Sequence, residues 1–304
     1  MSRSIRRATR LRPVAAPGDG LGRDLTVLGV LDGGSVEPTY IAWHRANWCP
    51  VVCKVMTSPQ RARREVEVIG RMAHPNIVRA LGVDGGVHLL MPYYPGPTLD
   101  RLVKRPGRRI GVSDAMRLAF HVGAALVHVH GRGFLHMDVK PGNIIVAPGG
   151  HPVLFDFGSA RAIGTPGPGE PIGTDPYIAP EECLLGKASP ANDIFSLGVT
   201  IYEMLTGRLP FAEPGKSDEF PQVSADAEPM SAWRRGLARS LDDLVLRCLD
   251  RNPEKRPSLA ALLPELNRHI VSGPRMWPAG FSPQDAARPH RKTSKRRRRA
   301  LAPA

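Results

Sequence analysis

The chain contains 304 residues, 42% of them hydrophobic and 23% charged, which suits one large or two small globular domains with a proper core. No uninterrupted apolar run approaches the roughly 20 residues that a membrane-spanning helix needs, so no membrane span is predicted. The four cysteines show no CxxC spacing, which argues against a zinc site or a disulfide framework. Reduced thiols in a cytoplasmic protein fit this pattern better.

The formal net charge of +14 is concentrated at the two ends of the chain. The beginning reads MSRSIRRATRLR, and HRKTSKRRRR lies close to the other end. Runs of this kind bind nucleic acid, anionic lipid or an acidic partner, but they are commonly disordered and solvated. We predict disordered basic segments at residues 1–24 and 273–304, with binding to nucleic acid or an acidic partner as their alternative role.

Short β-like runs alternate with turns from Leu25 onward. Three of them, LTVLGVL, TYIAWH and PVVCKVM, are predicted as antiparallel strands. A helix is predicted over RARREVEVIGRMA, closed by His74-Pro75, and NIVRALGV and VHLLMPYY follow as two further strands. Five strands and one helix would form a small lobe.

The second half of the chain shows helical periodicity. Apolar residues recur at helical spacing from Ser113 to His130, with Ser113 as the predicted N-cap. Another apolar helix is predicted to start at Asp193, then an irregular loop over 213–231, and then helices around 240–250 and 258–271. His121, His128 and His130 have no acidic or cysteine partner at ligand spacing, so we interpret them as solvent-facing or packing residues.

The stretch from Leu135 to Gly158, LHMDVKPGNIIVAPGGHPVLFDFG, carries the chemistry. It predicts a tight loop, a short apolar strand, a Gly-Gly turn and a second strand that ends in Asp-Phe-Gly. Asp138, Asn143 and Asp156 would thereby point to one place, with Lys140 beside them. Carboxylate and amide oxygens suit Mg²⁺. One carboxylate could instead orient the proton of an attacking hydroxyl, and the lysine could steady a transferring phosphoryl group.

The motif HMDVKPGN followed by DFG resembles the catalytic and magnesium loops of protein kinases. The lysine two residues after the aspartate resembles the serine/threonine-specific branch of the family. The composition, rich in Ala, Arg, Gly and Pro, resembles that of a bacterial kinase of the eukaryotic-like type. The resemblance implies an α+β, two-lobed fold: a five-stranded antiparallel N-lobe with one helix at 25–91, a hinge at 92–97 and a mostly helical C-lobe at 98–272. Asp138 would be the base, and Asn143 and Asp156 the Mg²⁺ ligands.

The same resemblance assigns residues of the small lobe. Lys54, in VVCK, would reach the α- and β-phosphates of ATP, and Glu65 would pair with it. Glu67 competes for that role, but the two glutamates lie on different helix faces, so only one can face the lysine. Met91 falls at the gatekeeper position next to the hinge. The Pro92 carbonyl and Tyr94 N–H would bind adenine.

The glycine-rich loop departs from the family pattern GxGxxGxV. Aligned with Asp32 to Thr39, the pattern retains a family glycine at Gly34 alone. Glycines there let backbone N–H groups approach phosphates. Asp32 and Glu37 would bring negative charge instead, and Pro38 removes a donor.

The C-lobe motifs complete the expected site. Thr174, in GTDPY, would hydrogen-bond Asp138 and Lys140, and Glu181 would pair with a buried arginine, Arg256. Asp193 would brace the catalytic-loop backbone, with His136 beneath the DFG turn. Breaking the Glu181–Arg256 pair is expected to cost roughly 3–5 kcal/mol.

Met137 stands before Asp138, where many family members carry an arginine that reads a phosphate on the activation segment. Without that arginine Thr165 lacks its usual reader. We therefore predict an activity that does not depend on phosphorylation of this loop.

The leading interpretation is a non-RD serine/threonine protein kinase that uses ATP and Mg²⁺ to phosphorylate protein hydroxyls. The alternative is a pseudokinase scaffold. The altered glycine-rich loop favours the scaffold, whereas the retained catalytic residues favour the enzyme. Binding of nucleic acid as the main function rests on net charge alone and lacks an aromatic RNA-reading motif.

Overall fold

The computed structural model describes residues 14–33, 36–107, 109–166, 169–184, 188–211 and 220–271. Gly34, the C-terminal basic segment, the start of the N-terminal one and part of the predicted 213–231 loop lie outside these residues. No helix in the described ranges combines the length and apolarity needed to cross a membrane.

The small lobe is an antiparallel sheet with one helix. Its strands are β1 (Gly20–Leu21), β2 (Leu25–Asp32), β3 (Thr39–His44), β4 (Cys49–Val55), β5 (Gly82–Asp84) and β6 (His88–Pro92), in the spatial order β1-β2-β3-β4-β6-β5. Alternate side chains on β2, β3 and β4 are buried, among them Val27, Tyr40 and Val51. This alternation is the period-2 pattern of a sheet with one covered face.

The structure corrects two predictions about these strands. The sheet has a sixth strand, β1, within the segment predicted to be disordered, so the predicted boundary at Leu25 is too late. The predicted strand over NIVRALGV shrinks to Gly82–Asp84. Ile77 and Val78 instead bind the C-lobe: Ile77 bridges Leu154, and Val78 N–H donates to the Leu154 carbonyl at 2.9 Å.

Helix α1 (Pro59–Gly70) crosses behind the sheet. Its N-cap is Ser58, whose hydroxyl accepts the Arg61 N–H at 3.3 Å, and Pro59 occupies the first turn, where its missing N–H costs nothing. The buried face of α1 consists of Ala62, Glu65, Val68 and Ile69. A glutamate on an otherwise apolar face marks a functional position, since buried carboxylates require a partner.

The large lobe is mostly helical. It contains α2 (Leu99–Val103), α3 (Val112–Gly131), α4 (Pro180–Cys183), α5 (Pro190–Thr206), α6 (Arg239–Cys248) and α7 (Leu259–Arg268). Helix α5 is buried along nearly its whole length and packs against α3 and α6, while α7 also packs against α3. A helix that is buried on nearly all sides lies at the centre of a core. The two-lobed α+β fold is thus confirmed.

Helix α3 begins earlier than predicted. Its N-cap is Gly111 rather than Ser113, which lies inside the first turn. The Ser113 hydroxyl accepts the Val271 N–H at 2.9 Å, so it anchors the segment after α7 and does not cap its own helix.

Four short strands carry the loops of the site: β7 (Phe134–Leu135), β8 (Ile144–Ala147), β9 (His151–Leu154) and β10 (Arg161–Ala162). β8 pairs with β9, and β7 pairs with β10. The predicted Gly-Gly turn joins β8 to β9, and Gly149 and Gly150 adopt φ values of 86° and 73° there. Only glycine adopts such values without strain.

Candidate active site

A cleft of about 910 Å³ lies between the lobes. The sheet, α1, the segment after β6 and the β8–β9 region form its walls. Its lining includes most of the residues predicted to bind the nucleotide or the metal ion: Lys54, Glu65, Met91, Pro92, Tyr94, Asn143 and Asp156.

Lys54 on β4 joins the small lobe to the loop after β9. Its Nζ lies 3.1 Å from Glu65 Oε2 and 2.8 Å from Asp156 Oδ1. Burial disfavours the charged lysine, but the carboxylates of Asp156 and Glu65 outweigh it and raise its pKa. Glu67 points to solvent, where it pairs with Arg71 at 2.7 Å. Glu65 is therefore the glutamate of the pair.

The Asp156 carboxylate is held in the ionised state. Burial alone would raise its pKa, but the neighbouring Lys54 ammonium lowers it below the ordinary value. Asp156 has φ 65°, in the left-handed region that aspartate tolerates better than most residues. The next residue, Phe157, is buried against the His136 ring, with centroids 4.7 Å apart. His136 Nε2 also lies 3.1 Å from the Phe155 carbonyl, so the histidine sits beneath the turn as predicted.

Asp138 is the centre of a second polar cluster. Lys140 Nζ donates to its Oδ2, and the Thr174 hydroxyl to its Oδ1, each at 2.8 Å. Lys140 also contacts the Thr174 hydroxyl, so lysine, threonine and carboxylate form a closed triangle. Asn143 Nδ2 donates to the Asp138 carbonyl and Oδ2, both at 2.8 Å. The structure thus brings together the four residues predicted to act in catalysis.

The loop that contains Asp138 is held in place by Asp193 at the start of α5. Its carboxylate accepts the His136 N–H at 2.9 Å and the Met137 N–H at 2.8 Å. His130 Nε2 lies 2.8 Å from the same carboxylate, so this histidine is neither solvent-facing nor an inert packing residue. Burial opposes ionisation of Asp193, but the hydrogen bond from His130 and the charges nearby lower its pKa. A fully buried carboxylate therefore sets the loop backbone.

Glu181 and Arg256 form the predicted ion pair. The guanidinium donates from Nη1 and Nη2 to the two carboxylate oxygens, each at 2.7 Å. Arg256 also donates to the Ala191 carbonyl and lies over the Phe195 ring at 5.0 Å. The pair therefore ties α4 to the start of α5 and to the turn before α7.

The activation segment, residues 159–182, contains a charged pair that the sequence did not indicate. Arg161 Nη1 lies 3.2 Å from Glu182 Oε1, and both side chains are buried. Met137, at the position of the missing arginine, is buried in an apolar cluster with Leu135 and Ala188. An internal arginine–glutamate pair and an apolar contact hold this part of the segment.

Glu37 in the altered loop lines the cleft, and its carboxylate contacts Thr57 and Arg61. Its Oε1 accepts hydrogen bonds from the Thr57 N–H at 3.1 Å and the Thr57 hydroxyl at 2.8 Å, and it forms an ion pair with Arg61, whose Nε lies 3.1 Å away. Its Oε2 is 3.9 Å from Lys54 Nζ. The negative charge stays in the cleft but is matched by cations.

Asn143 and Asp156 fit a magnesium ion completed by phosphates. The Asn143 amide nitrogen is engaged with Asp138, which turns its oxygen to the opposite side, and the hydrogen bonds of Asp156 go through Oδ1. One carboxylate and one amide oxygen are hard ligands of the kind Mg²⁺ prefers. Within the described residues there is no group of three or more His, Cys, Asp and Glu arranged to hold a metal alone.

A two-lobed fold with a lysine–glutamate pair under its sheet and an Asp-Lys-Asn loop facing it defines the class: a protein-kinase-like phosphotransferase fold. The model of the protein kinase domain family matches residues 26–266, and the chain belongs to this family.

Curated relatives of this chain include bacterial serine/threonine-protein kinases, as predicted. PkaA of Streptomyces coelicolor is 36% identical over 65% of this chain and 37% of its own length. PknA of Mycobacterium tuberculosis is 36% identical over 65% of this chain and 48% of its own length. PrkC of Bacillus subtilis is 27% identical over 76% of this chain and 38% of its own length. The chain thus spans less than half the length of these relatives.

Proposed function

We propose that this chain is a serine/threonine protein kinase that transfers the γ-phosphoryl group of ATP to protein hydroxyls in the presence of Mg²⁺. The observation that carries the proposal is the bonding of Lys54 to both Glu65 and Asp156 while Lys140 and Thr174 hold the Asp138 carboxylate. In protein kinases the lysine–glutamate pair and the DFG aspartate must both be in place for transfer.

The residues divide the work by position. The Pro92 carbonyl and Tyr94 N–H bind adenine at the hinge, with Met91 behind them, and Lys54 binds phosphate oxygens. Asp138 orients the acceptor hydroxyl and takes its proton, while Lys140 stabilises charge on the transferred group. Magnesium held by Asn143 and Asp156 supplies neutralisation of the phosphate charge. Positioning and electrostatics carry such a step, with turnover of about 1–100 s⁻¹ in kinases.

Regulation follows from Met137. A buried methionine offers no cation to a phosphorylated loop, so we propose a non-RD kinase whose activity is independent of phosphate on Thr165. A cytoplasmic location stays a prediction, as does binding of nucleic acid or an acidic partner by the basic segments.

The second candidate is a pseudokinase scaffold, favoured by the loss of glycines between Asp32 and Thr39. The intact bonding around Asp138 and Lys54 favours the enzyme, since a chain without catalysis has no need to keep both clusters assembled.

The deciding experiment is phosphate transfer from ATP with Mg²⁺ to a generic basic acceptor protein, with the product analysed for phosphoserine and phosphothreonine. Asp138→Asn and Asp156→Ala should abolish it. Asp243→Asn is the matched control, because Asp243 is exposed on α6 and far from the cleft. ATP-dependent thermal shifts run in parallel. Nucleotide binding without transfer by the wild-type chain would favour the scaffold, and transfer that survives in Asp138→Asn would contradict the assigned base.

A further inference from the structure

An ion pair between Glu37 and Arg61 lies at the end of the cleft that contains Lys54 and Asp156. Arg61 Nε is 3.1 Å from Glu37 Oε1, and the Thr57 amide and hydroxyl donate to the same oxygen. The Glu37 side chain is only 13% exposed. The loop and the first turn of α1 are thus joined through one carboxylate.

Arg61 retains donors after making this pair. A guanidinium has five N–H donors, and Arg61 forms its ion pair with Glu37 on the Nε side. Among the described residues, no other side-chain hydrogen bond or ion pair of Arg61 is formed. Its side chain is 57% exposed and lines the cleft together with Lys54, Gly158 and Ser159. A cation with unused donors therefore faces the part of the cleft where phosphates would lie.

The altered loop creates a need for such a cation. Asp32, Glu37 and Pro38 replace residues whose backbone N–H groups would otherwise approach phosphates, and Pro38 has no N–H to offer. Lys54 is already shared between Glu65 and Asp156, with Glu37 Oε2 3.9 Å away. Without Arg61, one lysine would face three carboxylates before any phosphate entered.

We propose that Arg61 is a further phosphate-binding residue, which donates to the phosphates of ATP and compensates for the missing glycines. The inference rests on the proposed function, because it takes ATP as the nucleotide. Guanidinium and phosphate form paired, charge-assisted hydrogen bonds that an ammonium does not reproduce. The ion pair with Glu37 holds the guanidinium at the cleft. A test must therefore distinguish the effect of the Arg61 charge on ATP binding from that of the Glu37 charge.

The test measures dissociation constants for MgATP and for adenosine, in the absence of an acceptor protein. The chains compared are wild type, Arg61→Ala, Glu37→Ala and the double variant Glu37→Ala/Arg61→Ala. Arg63→Ala is the matched control, since Arg63 is exposed on the same helix but does not line the cleft. Adenosine has no phosphates, so its binding reports whether the cleft itself remains intact.

The double variant should bind ATP at least about tenfold more weakly than Glu37→Ala, which is the loss expected for hydrogen bonds to a charged group. Arg61→Ala should show a similar loss relative to wild type, with adenosine binding and Arg63→Ala unchanged. If the double variant binds ATP as tightly as Glu37→Ala does, Arg61 only neutralises Glu37 and the inference is overturned. A parallel loss of adenosine binding also overturns it. A wild-type chain that binds no ATP would overturn the proposed function and this inference together.

Discussion

The Arg161 guanidinium donates to the Glu182 carboxylate at 3.2 Å, and the pair joins the beginning of the activation segment to its end. Arg161 also donates to the Thr165 carbonyl at 3.1 Å and to the Pro166 carbonyl, while Glu182 Oε1 accepts the Ile172 N–H at 3.4 Å. Thr174, which bonds to Asp138, lies two residues after Ile172. A charge pair inside the protein therefore supports the segment whose Thr174 bonds to Asp138.

This arrangement predicts that Thr165→Ala keeps its kinase activity. The Thr165 hydroxyl contacts only the Ala162 carbonyl among the described residues, and the Arg161 guanidinium already has a partner in Glu182. The measurement is the initial rate of acceptor phosphorylation by wild type and variant, each treated with phosphatase beforehand. Loss of activity in Thr165→Ala, or in the phosphatase-treated wild type, would contradict it.

Arg161→Ala should instead lose activity and stability. The change leaves the buried Glu182 carboxylate without its cation, which costs about 3–5 kcal/mol. Burial already raises the pKa of Glu182 despite Arg161, so the carboxylate has little other support. Urea unfolding measures the free energy, and the rate measured below the unfolding transition gives activity. Glu182→Gln in the Arg161→Ala background should recover part of the stability, because it removes the uncompensated charge.

Thr174→Ala should lower kcat by on the order of 10²-fold, the loss that a small displacement of a reacting group can produce. The Thr174 hydroxyl joins Asp138 to Lys140, and without it Asp138 Oδ1 loses its hydrogen bond while Oδ2 stays bonded to Lys140 and Asn143, so the carboxylate can rotate. Thr174→Ser retains the hydroxyl and serves as the control, with a rate close to that of wild type. The rates are measured at saturating ATP and acceptor, so that a change in binding does not enter. Equal losses in both variants would argue that the methyl group, not the hydroxyl, matters.

Glu181→Gln should lower the free energy of unfolding by about 3–5 kcal/mol, because it leaves the buried Arg256 guanidinium unpaired. The matched control is Glu265→Gln. Glu265 pairs with Arg268 at 2.8 Å on the surface of α7, where such pairs contribute about 0–1 kcal/mol. Denaturant unfolding of both variants gives the comparison. A loss in Glu181→Gln no larger than in the control would show that the pair is not a structural lock.

Four histidines at the back of the lobe junction predict a loss of stability in mild acid. Burial, and then the neighbouring imidazoles, lower the pKa of His74 below its ordinary value of 6.5, and burial also lowers that of His121 and His128. His151 completes the cluster, with its ring 6.3 Å from that of His121. A lowered folded-state pKa means that the unfolded chain binds more protons. The free energy of unfolding should therefore decrease as the pH falls below about 6.5.

The loss of stability in acid is expected to come from two hydrogen bonds that histidine rings accept. His128 Nε2 accepts the Ala73 N–H at 3.1 Å, and His74 Nδ1 accepts the Asn76 N–H at 3.1 Å. A protonated ring nitrogen cannot accept, so both bonds fail in acid. His128→Asn should flatten the dependence between pH 7 and pH 5, whereas His269→Asn, outside the cluster, should not. Unfolding curves at several pH values test this, and an unchanged slope in His128→Asn would contradict it.

The sequence predicted best what lies close together along the chain. Asp138, Lys140 and Asn143 share one loop, so local spacing already brings them near one another. The helix period allowed only one of Glu65 and Glu67 to face Lys54, and the distance to the HPNIV motif favoured Glu65. The sequence did not indicate the Arg161–Glu182 pair, because charged residues are usually exposed. No periodicity links two residues 21 positions apart in an irregular segment.

The remaining errors have a common cause, the competition of tertiary contacts with local preference. Ile77 is β-branched, which favours a strand, but it pairs with Leu154 of β9 and not with the sheet of the small lobe. Serine is a common N-cap residue, but the Ser113 hydroxyl accepts the Val271 N–H and does not cap α3.

Strand β1 has a practical consequence for anyone who trims this chain. The Gly18 N–H donates to the Val27 carbonyl, the Val27 N–H to the Asp19 carbonyl, and the Ala15 N–H to the Tyr40 hydroxyl. A recombinant domain that starts at Leu25 would lack β1 and these hydrogen bonds, so β2 would become an unpaired edge of the sheet. Bare edges pair with other chains and aggregate. A fragment intended for crystallisation should therefore begin no later than Val14.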